Sequence, residues 1–133
     1  KSVMYTSTHQ MPLYPGTGRL EDRGVADNIL NVHLASGTNG TGFRAAVERQ
    51  VLPAIDAFAP DLLMISAGFD AHRADPLASL GLVEADFAWV TTELVRLAER
   101  HCDGRIVSVL EGGYDLQALS RSVVAHLRAL VGA

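Results

Sequence analysis

Asp70 is the residue of this sequence that is best placed to bind a metal ion. It lies in a loop of residues 66–77, directly after the apolar run at 61–65 that has the length of a strand. Gly68 allows the backbone to turn sharply there, and a carboxylate at a rigid strand end is well preorganised for a metal. An aspartate in a loop more often caps a turn or a helix, and the spacing alone leaves that alternative open.

Tyr114 follows a second strand-like run at 105–110, in the segment Glu-Gly-Gly-Tyr at 111–114. The two glycines allow the chain to approach a ligand closely, and a tyrosine hydroxyl there can donate a hydrogen bond to an oxyanion. A tyrosine that only packs over the turn is the alternative. A third segment, residues 8–18, contains Gly-Thr-Gly but lacks the Gly-Lys-Ser/Thr ending of a phosphate-binding loop.

The elements that must position these residues alternate between strand and helix. Apolar runs predict strands near 3–7, 29–34, 61–66 and 105–110, and helical periodicity predicts helices over 42–58, 84–100 and 115–130. This order predicts an α/β fold with a mostly parallel sheet, in which ligands gather at the carboxyl ends of the strands.

Two helices carry specific expectations about their buried faces. The first is predicted to bury Phe43, Val47, Val51 and Ile55, with Pro53 as a point where the helix kinks or breaks. The last is predicted to pack through Leu116, Leu119, Val123, Leu127 and Leu130.

Composition excludes several classes of function. The 133 residues have a formal net charge of −4 and a pI near 5.6, so no basic field is available to bind nucleic acid. The apolar runs are too short to span a membrane. Cys102 is the single cysteine, which is typical of a reducing compartment and predicts a cytoplasmic protein. The chain opens on strand-like sequence without an initiator methionine, so we expect it to be part of a longer protein.

The three segments together resemble the superfamily of histone deacetylases, acetoin-utilisation proteins and acetylpolyamine amidohydrolases. The resemblance runs through Ser-Thr-His-Gln at 7–10, Tyr-Pro-Gly-Thr-Gly at 14–18, Ala-Gly-Phe-Asp-Ala at 67–71, Asp-Pro-Leu at 75–77 and Glu-Gly-Gly-Tyr at 111–114. It is closer to the class II and bacterial branch than to class I. It implies a three-layer α-β-α fold of the arginase/deacetylase type, of which residues 1–133 would be the C-terminal portion of a single domain.

The resemblance also implies roles for individual residues. Asp70 matches the last zinc ligand, Tyr114 matches the tyrosine that polarises the scissile carbonyl, and Ser7 matches a position that helps to hold a structural potassium ion. The remaining matches concern the substrate: Tyr14 is similar to an aromatic wall of the acyl-lysine tunnel, Leu77 to an apolar residue at its rim, and Gly112 and Gly113 to the glycines beside it.

The rest of the family's site, an Asp-x-His metal pair and two paired histidines, would precede this chain. We therefore expect zinc-dependent hydrolysis of acetyl or short acyl amides on lysine or a related amine in the intact protein, and an inactive isolated chain. The substrate partner would be an acetylated protein or peptide, or a small acetylated amine. An acetylpolyamine or other small-molecule amidohydrolase, and a noncatalytic α/β binding module, are the alternatives.

The five histidines are not expected to bind the metal. His72 makes an apparent Asp-x-His with Asp70, but the resemblance places the ligand at the aspartate and leaves position 72 variable. His9 is expected to anchor its loop.

Overall fold

A computed structural model describes residues 2–132 of the chain. The elements, in chain order, are β1 (Tyr5–Gln10), β2 (Ile29–Leu34), α1 (Gly40–Ala46), a π-helical segment (Val47–Val51), α2 (Leu52–Phe58), β3 (Leu63–Ala67), α3 (Glu84–Cys102), β4 (Ile106–Leu110) and α4 (Leu116–Val131). The predicted alternation of strands and helices is confirmed.

The strands of the described residues pair as two parallel, two-stranded sheets. In one, β1 runs beside β2 from Tyr5 opposite Ile29 to Gln10 opposite Leu34. In the other, β3 runs beside β4 from Leu63 opposite Ile106 to Ala67 opposite Leu110. Because β3 and β4 are parallel and end at the same level, the loops at 68–77 and 111–114 leave the sheet side by side.

The helical stretch between β2 and β3 is continuous but widens in its middle. Asn39 caps its start by accepting from the backbone N–H of Gly42, and the stretch ends at Ala59 in a left-handed conformation. The predicted face is confirmed, since Phe43, Val47, Val51 and Ile55 are all buried. Pro53 does not break the helix; it follows the π-helical turn and lies in the first turn of α2. Proline has no N–H to donate to the carbonyl four residues earlier, as an α-helix requires. A π-helical turn is a place where a helix accommodates such an interruption.

Helices α3 and α4 pack against each other beside the β3–β4 sheet. The predicted buried face of α4 is confirmed only in part, since Leu119 and Val123 pack against the core. Leu116 and Leu127 are exposed, whereas α4 buries Ala118, Ser122 and His126. A histidine is tolerated there because both ring nitrogens have partners: Nδ1 lies 2.7 Å from the hydroxyl of Thr91 and Nε2 lies 2.8 Å from that of Ser108. Burial lowers the pKa of His126, which favours the neutral ring.

None of the described helices combines the length and the apolar character that crossing a membrane requires.

Candidate active site

The carboxylate of Asp70 lies in a recess formed by two glycines. The chain turns directly after β3, where the N–H of Phe69 donates to the carbonyl of Gly112 at 2.8 Å. A Cβ atom built on Gly112 would lie 2.8 Å from Cγ of Asp70, and one built on Gly68 would lie 3.0 Å from its Oδ1. The absence of side chains at these two positions is therefore what makes room for the carboxylate.

Asp70 has no basic partner within residues 2–132, and its carboxylate caps no turn there. Burial raises the pKa of Asp70, its own backbone hydrogen bond lowers it, and the negative charges of Asp75 and Glu111 raise it further. A carboxylate that is partly desolvated beside two other acids is poorly stabilised unless a cation binds it. The charge at this strand end thus favours a cation, which is the chemistry expected of a metal ligand.

Tyr114 follows β4 and is held by its backbone. Its N–H donates to Oδ2 of Asp75 at 2.8 Å, and the next residue, Asp115, caps α4 by accepting from the N–H of Ala118 at 2.8 Å. The side chain itself remains 56% exposed, so its hydroxyl can reach a molecule that binds at this edge of the sheet.

Leu77 belongs to the same cluster, because its N–H donates to the other oxygen of Asp75 at 2.9 Å. Its side chain is 62% exposed. The structure therefore brings together five of the residues singled out in the sequence, namely Asp70, Leu77, Gly112, Gly113 and Tyr114. Gly113 lies between Gly112 and Tyr114 with a φ of 140°, a conformation that side-chain-bearing residues rarely adopt.

Ser7 and Tyr14 lie away from the Asp70 cluster. They line a cavity of about 320 Å³ between β1, β2 and the loop that joins these two strands. Tyr14 is 99% exposed. The loop is fixed by the carbonyl of Gly18, which accepts from Nε2 of His9 at 3.0 Å and from Nε2 of His33 at 2.8 Å. His9 is thus a loop anchor, as its position in the sequence suggested.

The hydrogen bonding of His9 leaves the oxygen of Ser7 available. A carbonyl can only accept, so Nε2 of His9 carries a proton; where Nδ1 carries none, it accepts from the hydroxyl of Ser7 at 2.9 Å. The lone pairs of the Ser7 oxygen then accept no hydrogen bond within residues 2–132.

His72 is turned into the interior and is 4% exposed. Its Nδ1 accepts from the N–H of Ala74 at 3.1 Å, and its Nε2 lies 3.6 Å from Glu84 at the start of α3. The ring stacks on Phe87. These contacts hold His72 inside the loop, and its exclusion as a metal ligand stays a prediction.

The sequence did not reveal two residues that organise these loops. Asp75 belongs to the Asp-Pro-Leu motif at 75–77, to which the resemblance assigned a role only for Leu77, and no role was predicted for His33. A signal for Asp75 was present, because an aspartate two residues before Leu77 can form a turn with its own chain. Nothing in the sequence indicated that its second oxygen would reach Tyr114.

The described residues contain no group of three or more His, Cys, Asp or Glu side chains that could hold a metal ion together. A catalytic zinc usually has three protein ligands. Asp70 fits one such ligand by its chemistry and its lack of a partner.

The comparisons with known proteins agree on one family. The histone deacetylase domain matches residues 1–130. A probable deacetylase of Archaeoglobus fulgidus is 40% identical over 98% of the chain, and histone deacetylase 14, chloroplastic, of Arabidopsis thaliana is 41% identical over 98%. The chain covers only 37% and 31% of these two proteins.

A solved structure gives the same result for the fold. The HD domain of HDA15 superposes with a TM-score of 0.90 at 37% identity, over 99% of this chain and 38% of that one. The strands, helices and loop cluster described above are therefore those of an α/β protein with the arginase/deacetylase fold. The chain belongs to the histone deacetylase family.

Proposed function

We propose that the protein containing this chain is a zinc-dependent amidohydrolase that removes acetyl or other short acyl groups from lysine or a related amine. The observation that carries the proposal is Asp70, a partly desolvated carboxylate without a basic partner in the described chain, next to the loop of Tyr114. Membership of the deacetylase family supports the reaction class.

Asp70 would be one of the zinc ligands, and the family resemblance places the others outside residues 1–133. Zinc, when bound, supplies activation of water and polarisation of the amide carbonyl. Asp70 would contribute a hard, negatively charged oxygen from a strand end that hydrogen bonds hold in place, and would thereby help to hold the metal between the two loops.

Tyr114 would donate its hydroxyl proton in a hydrogen bond to the oxygen of the scissile amide as negative charge develops on it. Such a donor contributes most when it is already in place before the reaction, because no reorganisation is then needed in the transition state. The bond from its N–H to Asp75 and the helix cap at Asp115 hold the backbone on both sides of the ring.

The substrate class rests on the family resemblance. Tyr14 and Leu77 are exposed on two separate loops, and by that resemblance each would contribute to a narrow apolar channel that accepts the methylene stem of an acyl-lysine or acylated amine. Gly112 and Gly113 keep the wall beside Asp70 free of side chains. Ser7 would help to bind a structural potassium ion through its free lone pairs.

Tyr114→Phe in the full-length protein tests the proposal most economically. The substitution keeps the ring and removes only the donor, so zinc content and thermal midpoint should stay unchanged. Loss of one oxyanion donor lowers turnover by about 100- to 1000-fold, which we expect for an acetyl-lysine peptide. Activity within a few-fold of wild type would show that Tyr114 only packs over its turn, and would contradict the proposal.

A further inference from the structure

Asp75 connects the two loops of the candidate active site through one buried carboxylate. The residue is 8% exposed, and each of its oxygens accepts from a backbone N–H: Oδ1 from Leu77 at 2.9 Å and Oδ2 from Tyr114 at 2.8 Å. Leu77 belongs to the loop of Asp70, whereas Tyr114 lies 39 residues further along the chain from Asp75. The carboxylate therefore acts as a bridge between segments that are distant in sequence.

The bridge begins where the backbone pairing between the two loops ends. The N–H of Glu111 donates to the carbonyl of Ala67 at 3.0 Å, and the N–H of Phe69 donates to the carbonyl of Gly112 at 2.8 Å. Beyond Gly112, the bond from Tyr114 to Asp75 is the next link between the loops among the described residues.

Tyr114 depends on this link more than a buried tyrosine would. Its side chain is 56% exposed, so packing does not fix the ring. The preceding residue, Gly113, has no side chain to restrict its backbone, which leaves the direction of the Tyr114 N–H to be set by its acceptor. A charged acceptor forms a stronger bond with an N–H than a neutral one does.

The chemistry of the bridge requires a carboxylate. Two N–H groups need two acceptor oxygens, whereas an asparagine offers one oxygen and an NH₂ group that can only donate. Asparagine at this position would fill the same space while leaving one of the two N–H groups facing another donor.

We propose that Asp75 is a positioning residue that sets the place of the Tyr114 hydroxyl relative to Asp70. The inference rests on the proposed function, because it assigns Asp75 a role only through the oxyanion donor. Asp75 itself touches neither the substrate nor the reacting atoms in this scheme.

The test is a double-mutant cycle in the full-length protein. Asp75→Asn is measured alone and in the Tyr114→Phe background, with kcat, KM, zinc content and thermal midpoint recorded for each variant. Because a displacement of about 1 Å can cost up to about 100-fold in rate, we expect Asp75→Asn alone to lower kcat by about tenfold or more. KM and zinc content should stay within about twofold of wild type.

In the Tyr114→Phe background the same substitution should cost less than about twofold in kcat, since the donor that Asp75 positions is already gone. A merely structural role would give losses that multiply, and that result would overturn the inference while leaving the proposed function intact. An unchanged kcat in Asp75→Asn alone would overturn it as well. If Tyr114→Phe itself remains active, the proposed function fails and the inference falls with it.

Asp86→Asn is the matched control. Asp86 is also a buried carboxylate with both oxygens engaged, by Arg44 at 2.9 Å and by the N–H of Val83 at 3.0 Å, but these contacts involve neither loop. It should lower stability without the selective effect on kcat. Should Asp75→Asn fail to fold, amide hydrogen exchange in the wild-type protein tests the bridge instead. A protected Tyr114 amide would support it, and an amide that exchanges as fast as an unstructured one would refute it.

Discussion

The loops after β3 and β4 differ from the loop after β1 in whether their polar side chains have partners within the chain. After β1, the polar side chains hold the loop in place, since His9 and His33 both donate to the carbonyl of Gly18. After β3, Asp75 is likewise occupied by two N–H groups, but its neighbour Asp70 has no basic partner in the described chain. A partly desolvated carboxylate without a basic partner favours a bound cation, whereas a side chain with all its hydrogen bonds made within the chain favours an architectural role.

The largest loss of zinc and of turnover that follows from this difference is expected for a substitution of Gly112. In Gly112→Ala of the full-length protein, the new Cβ would lie 2.8 Å from Cγ and Oδ1 of Asp70, so the carboxylate must move. We expect zinc content to fall to a small fraction of wild type, and turnover to fall by about 100-fold or more, as for a displaced catalytic group. Elemental analysis and an acetyl-lysine peptide assay measure the two.

Gly81→Ala is the control for that substitution. A Cβ at Gly81 makes ordinary contacts, at 3.5 Å to the nearest atom. Neither Gly81 nor Gly112 has a positive φ, so an alanine strains the backbone at neither position. It should leave zinc and turnover close to wild type. Equal effects of the two substitutions would mean that the recess around Asp70 has no special importance.

A smaller effect is expected where the polar groups only hold a loop. His33→Phe keeps an aromatic ring but removes one of the two donors to Gly18, which costs about 1 kcal/mol for a single hydrogen bond. If Tyr14 lines the substrate channel, KM should rise by about fivefold, the equivalent of that energy, with zinc content unchanged. His101→Phe, which removes a donor to Asp56 on the surface, provides the control. A loss of zinc in His33→Phe would contradict the distinction between the two regions.

The smallest effect is a change in the free energy of unfolding, expected for the ion pair of Glu84 and Arg121. This pair joins α3 to α4 close to His72. The hydrogen bond from Arg121 is the main reason that the pKa of Glu84 falls to about 2 from its usual 4.5. Since the folded-state pKa is the lower one, the stabilisation is present above pH 4.5 and is lost as the pH falls towards 2.

Both side chains of this pair are partly exposed, so Glu84→Gln should lower the free energy of unfolding by only about 0.5 kcal/mol at pH 7. The difference from wild type should shrink at pH 3.5, as urea unfolding at the two pH values would show. Glu99→Gln on the same helix, where Glu99 is exposed, reports the general effect of removing a charge. A difference that grows on acidification would have the wrong sign for this pair.

Much of the fold could be predicted because it depends on local patterns. The face of Phe43, Val47, Val51 and Ile55 follows from their spacing, and the glycines at 68 and 112 mark the places where the chain turns beside Asp70. The buried face of α4 could be predicted in this way only in part, at Leu119 and Val123. Periodicity counts apolar residues, whereas burial of His126 depends on hydroxyl groups of Thr91 on α3 and Ser108 on β4.

The same limit applies to the candidate site. Asp70 and Tyr114 were indicated by motifs, because each stands at the end of a strand in a short segment of recognisable composition. Asp75 joins two such segments through a bond between residues 39 positions apart in the chain. Only the parallel pairing of β3 with β4 places the two loops close enough for that bond.

Metal analysis of Asp70→Asn in the full-length protein tests the central claim most directly. Asparagine keeps the size of the side chain and removes its charge, so the recess between Gly68 and Gly112 remains filled and the thermal midpoint of the metal-free protein should not fall. We expect Asp70→Asn to lose zinc and turnover together. Full zinc occupancy in the purified variant would contradict it, and would leave Asp70 as a residue of the turn alone.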